Sequence, residues 1–150
     1  MKSYTQKDAE VIYHPLFQGI YIKWKDFSND EQFKATIEAA FDISKNHTCK
    51  CWIEEMTLGR AVSNVSTEWV RDEVFQKVAT LGIRKVAFLL EKNPMRKLYV
   101  ENIRESIRMA GLQYKAFESR MEMDKWIREQ EPMKLSDIRL NAKSVLNQFY

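Results

Sequence analysis

Apolar positions along the chain recur at two spacings, every second residue in some stretches and every third or fourth in others, and the alternation predicts strands separated by helices. The run EVIYHPLFQGIYIKWKDF holds two extended segments around Gln18-Gly19. In the second, Ile20, Ile22 and Trp24 alternate with Tyr21, Lys23 and Lys25, which predicts a hairpin with one wet face. Ser28 and Glu31 spell an S-x-x-E capping box that opens a first helix, whose inward stripe is Phe33, Ile37, Ala40, Phe41 and Ser44. CKCWIEEM reads as a third strand with both faces covered, because Trp52 and Ile53 are adjacent and apolar. A second helix is expected over 66–81, with Val70, Val74, Val78 and Leu81 inward and Gly82 as its left-handed stop. KVAFLLE, apolar without a break over 86–90, reads as a central parallel strand. A third helix turns Val100, Ile103, Ile107 and Ala110 inward and closes on Gly111; LQYKAF is a fifth strand. Ser119 with Glu122 then opens a helix burying Met123, Trp126 and Ile127.

Strands that alternate with helices after an opening hairpin define an α/β fold: a mostly parallel sheet, an antiparallel N-terminal hairpin at its edge, and helices on both faces. After Pro132 the residues Leu135, Ile138, Ala142, Val145, Leu146 and Phe149 fall on one stripe of a further helix. The expected organisation is therefore a domain over 1–131 and a C-terminal helical extension over 132–150. The stripe needs a surface to cover it, and a homodimer through Leu135, Ile138, Val145, Leu146 and Phe149 is one way to supply it.

Composition narrows the function. A chain of 150 residues is the size of one compact domain, and 45% hydrophobic with 30% charged residues is a globular balance. The net charge of +3 is the difference of 24 basic and 21 acidic residues spread along the chain, without the basic block of a nucleic-acid binder. The start MKSYTQKDAE lacks the apolar core of a signal peptide and no run is long enough to cross a bilayer, so a cytoplasmic protein without nucleic-acid or membrane partners is expected. Cys49 and Cys51 form with His47 an H-x-C-x-C spacing. Structural zinc takes four ligands, however, and free cysteines usually behave as small buried hydrophobes, so no metal and no cofactor are expected.

The order of hairpin, helix, W-I-E-E strand, loop, S-T-E-W helix, KVAFLLE strand and VENIRESIRMAGLQYKAF, ending in the MEMDKWI helix, resembles the bacterial STAS/SpoIIAA-like family of small domains over roughly residues 10 to 128. Trp52 matches the tryptophan of the family's third strand, while Glu55 stands where relatives carry aspartate. The sporulation-type members place a phosphorylatable serine in a D-S-S-G-like turn; here only Ser63 and Ser66 are near that place. The resemblance implies a non-catalytic regulatory or protein-interaction module with an unidentified protein partner. It also brings in the related CRAL-TRIO fold, which holds apolar ligands between helices and sheet; Met95, Leu98, Tyr99 and Met109 are the residues that would line such a pocket.

In open α/β sheets sites form outside the carboxyl ends of the strands. That rule sets the loop 57–65 beside the turn Lys92-Asn93-Pro94, and Glu55, Arg60, Ser63, Ser66, Lys92 and Asn93 become candidates for either a polar pocket or a docking surface. Ser66 is also the expected cap of the second helix. Glu54 and Glu55 are strand neighbours pointing to opposite faces, which argues against joint acid-base work and for an ion pair from one of them to Arg60. No G-x-G-x-x-G, Walker-type or G-x-S-x-G motif is present, and an enzyme is the third expectation after an interaction module and a ligand binder.

Overall fold

The computed structural model describes residues 2–25, 29–58 and 61–129. The hairpin forms as expected: β2 (Ala9–His14) and β3 (Gly19–Trp24) pair antiparallel from Ala9 opposite Trp24 to His14 opposite Gly19. A short strand, β1 (Ser3–Thr5), adds antiparallel to the outer edge of β2; three residues are too few for their alternation to be read from sequence. From β3 onward the pairing is parallel, through β4 (Cys51–Glu55), β5 (Lys85–Leu89) and β6 (Gln113–Phe117). The six strands lie side by side in chain order. β5 is fully buried between β4 and β6, while the middle of the sheet is the β3–β4 pair, richest in tryptophan.

Because every parallel step advances in one direction, right-handed crossovers place all the connecting helices on one face. These are α1 (Asp30–Ser44), a run made of α2 (Asn64–Trp69), a π-helical turn (Val70–Val74) and α3 (Phe75–Thr80), and then α4 (Pro94–Met109). Ile20, Ile22, Trp24, Trp52, Val86 and Phe88 meet them in one large core. α5 (Arg120–Arg128) covers part of the opposite face, where Cys51, Ile53, Ala87, Leu89 and Phe117 pack with Met123. Among the described residues helices thus lie on both faces, three connections on one and a single helix on the other. Cys49 and Cys51 are buried free thiols, and burial first, then the neighbouring Cys49, pushes the Cys51 thiol up to about 12.

The helix stripes are where periodicity puts them. Phe33, Ile37, Ala40, Phe41 and Ser44 are all buried, as are Val70, Val74, Val78, Val100, Ile103 and Ile107, whereas Leu81 and Ala110 are only half-buried. Gly82 and Gly111 close their helices in the left-handed region, φ 85° and 81°. The caps differ from expectation. SNDEQ contains two overlapping capping boxes, and α1 uses the second: Asn29 accepts from the Gln32 N–H at 2.8 Å while the Gln32 side chain accepts from the Asn29 N–H. In that register Asp30 opens the helix and reaches Ser66 across the domain, a tertiary contact the local pattern cannot weigh. Likewise Ser63, not Ser66, caps α2, accepting from the Ser66 N–H at 3.0 Å. Ser119 caps α5 as read. Arg60, Ser28 and the extension over 132–150, with its stripe at Leu135, Ile138, Val145, Leu146 and Phe149, lie outside the described residues. Among the described residues no helix is long and apolar enough to cross a membrane.

Candidate functional site at the carboxyl edge of the sheet

The parallel strands deliver their loops to one edge. There the Met56 N–H donates to the Leu89 carbonyl at 2.7 Å, and Asn93 Nδ2 donates to the Met56 carbonyl at 3.3 Å. The start of the loop after β4 is thereby tied to the turn after β5. Asn93 also caps α4, accepting from the Arg96 N–H at 3.3 Å. Glu91 and Lys92 just before it are both left-handed, with φ 47° and 74°. Two consecutive non-glycine residues in that region store backbone strain of about 1–3 kcal/mol each, held in place by the strand end and the helix cap on either side.

Ser63 and Ser66 sit at this edge with their hydroxyls engaged. Both donate to Asp30 Oδ1, Ser66 at 2.6 Å and Ser63 through a closer contact. The Ser63 bond first and the Ser66 bond second hold the Asp30 carboxyl below its usual range. Ser66 is buried and Ser63 exposed.

Glu54 and Glu55 do part to opposite faces, and the consequence for the predicted site is large. Glu55 faces α5, away from Ser63 and Ser66. It accepts from the Tyr21 hydroxyl at 2.6 Å, is in direct contact with Arg120, and has Lys23 at 3.8 Å. Among the described residues its ion-pair partners are Arg120 and Lys23, and Arg60, the partner suggested by the sequence, lies outside them. Burial alone would raise the Glu55 carboxyl. The Tyr21 and Arg120 hydrogen bonds and the charges of Arg120 and Lys23 outweigh it and hold the group below its ordinary value.

Glu54, whose inward facing the strand period implies, was not among the candidate site residues. It is 1% exposed on the helix side, where Oε1 accepts from Trp24 Nε1 at 3.0 Å and Oε2 from Trp52 Nε1 at 3.2 Å. Burial raises its carboxyl above the ordinary value, more than the two indoles and the charge of Arg96 lower it. Beside it lie Arg96 and Tyr99, each 3% exposed and one helical turn apart on α4. Among the described residues Arg96 Nε and Nη1 and the Tyr99 hydroxyl have no hydrogen-bond partner. A signal for this centre was available: a strand covered on both faces that carries adjacent glutamates must bury one carboxylate on each side.

The four predicted pocket residues are not brought together. Met95, Leu98 and Met109 are exposed at 55%, 56% and 82%, and only Tyr99 turns inward, joining Val100, Ile103 and Ile107 in the core. Lys92 and Asn93 instead line an open cleft of about 360 Å³ with Leu90, Lys97 and Phe117. The molecule is thus an α/β protein with a capped, strained carboxyl edge and a buried polar centre beneath it. No family model, curated protein or solved structure shows significant similarity to the chain.

Proposed function

We propose that the chain is a non-catalytic protein-docking module of the regulatory STAS/SpoIIAA type, with the carboxyl edge of the sheet as its working surface. The supporting observation is apolar. Leu58 after β4, Val65 at the start of α2, and Met95 and Leu98 on the first two turns of α4 are each more than half exposed. Exposed apolar side chains that gather at one end of a domain suit a protein partner better than solvent. The polar groups there suit docking better than turnover. Asp30, the carboxylate in contact with the Ser63 hydroxyl, is held below its usual range, whereas a general base works best with a pKa near the operating pH.

The test is site-specific photo-crosslinking in the native cell, with the crosslinking residue placed at Val65, at Leu98 or, for comparison, at Met109 near the far end of α4. One protein captured from both Val65 and Leu98, absent from Met109 and lost on Met95→Glu with the melting temperature unchanged, is the expected result. Equal capture from all three positions, or capture indifferent to Met95→Glu, overturns the proposal.

A further inference from the structure

An arginine cannot shed its charge to suit a dry site, so a guanidinium buried in a protein needs acceptors for its N–H groups and a counter-charge. Arg96 is 3% exposed and has neither in full. Among the described residues its Nε and Nη1 are without an acceptor and it forms no ion pair. The near carboxylate, Glu54, has each oxygen engaged by an indole N–H. Tyr99 presents a second orphan donor on the same face of α4. Burial first, and then the charge of Glu54, push the Tyr99 ionisation well up, so its hydroxyl keeps its proton and remains able to donate. Both residues belong to the first two turns of a 16-residue helix, whose N-terminus carries partial positive charge, and Lys92 and Lys97 flank that terminus. Buried polar atoms in folded proteins are overwhelmingly satisfied, so three orphans within one turn mark a place where something is accepted.

We infer that Arg96 and Tyr99 form an oxyanion site beneath the carboxyl edge, which takes one carboxylate or phosphate group of a small ligand. The chemistry follows from the donors. A guanidinium and a phenol hydroxyl both donate and neither offers an acceptor of comparable strength, so the group they receive must be rich in lone pairs. A negative charge also neutralises Arg96 and lies at the favourable end of α4. Glu54, held by Trp24 and Trp52, acts as a wall that fixes where the anion stops. The inference goes beyond the docking surface, which uses the outward faces of α2 and α4, and stands or falls separately from it.

The experiment uses the full chain labelled with nitrogen-15, with the Arg96 Nε–H resonance assigned by its disappearance in Arg96→Met. Sodium phosphate and sodium acetate are titrated separately at matched ionic strength against sodium chloride. The expected result is a saturable shift of that resonance and a raised melting temperature in at least one oxyanion arm, with affinity weakened about tenfold in Tyr99→Phe, the size of one hydrogen bond to a charged group. Saturation by phosphate alone identifies a phosphate group, and by acetate alone a carboxylate. If neither anion moves the resonance more than chloride does, the orphan donors are met by trapped water and the inference fails. It also fails if the response is identical in Tyr99→Phe.

Discussion

Replacing Lys85 by methionine is expected to loosen one helix and leave the sheet in place. Lys85 opens β5 on the face covered by α5 and is 8% exposed. Its Nζ donates to the carbonyls of Trp126 and Glu129, both at 2.7 Å, and stands 4.9 Å from the centre of the Trp126 ring. Those carbonyls end α5, where C=O groups lack intrahelical partners and the helix dipole is negative. Methionine keeps most of the stem's volume and deletes the charge. Each hydrogen bond from a charged donor contributes about 1.5–3 kcal/mol. Glu129 borders an open cleft of about 640 Å³ and its freed carbonyl rehydrates there, which places the combined loss near the low end, about 2–4 kcal/mol. At about 2–4 °C per kcal/mol for a chain of this size, the melting temperature falls by about 5–15 °C. Urea unfolding followed by tryptophan fluorescence measures the loss, and hydrogen exchange locates it. α5 has nine residues and cannot persist alone, so its amides lose protection first. A loss below about 0.5 kcal/mol, or exchange that quickens evenly over the domain, would refute the reasoning.

Glu55 titrates below its ordinary value of 4.5 in the folded protein, so its contribution is fully present above that value and is lost as pH falls through the folded pKa. Arg120→Gln should therefore melt below wild type near neutral pH, with the gap narrowing as pH falls below 4.5; a gap independent of pH would show that Arg120 acts through packing alone. Gly19→Ala should be severe, because the added Cβ would press on Cys51 Sγ and lie 2.7 Å from the Cys51 carbonyl oxygen, in the parallel β3–β4 pair that forms the middle of the sheet. A loss of about 3 kcal/mol in chemical denaturation is expected, and a loss below about 1 kcal/mol would mean that the strands separate easily there.

Much of the architecture was legible because periodicity is a property of the backbone itself. A strand alternates its faces and a helix returns every 3.6 residues, so Ile20, Ile22 and Trp24, the run 86–90 and the stripe from Phe33 to Ser44 announced both their element and their inward side. The α/β class, the opening hairpin and the parallel order needed only those local signals and the handedness of crossovers. The candidate site was legible in part. The meeting of the loop after β4 with the turn at Asn93 follows from parallel neighbours sharing an edge, and the divergence of Glu54 and Glu55 follows from the strand's period of two.

Partners were a different matter. Trp24 meets Glu54 from 30 residues away, Lys85 meets Glu129 from 44, and Arg120 meets Tyr21 from 99. Each contact depends on which residues the strand register sets side by side, and a slip of one residue would turn every such side chain to the other face. The caps Asn29 and Ser63 were likewise one position and three positions away from the serines that the local pattern offered. The sequence alone therefore determined which faces are buried, through the short-range geometry of the chain. Only the tertiary structure decided which buried charges find partners, and which, like Arg96, are left with donors to offer.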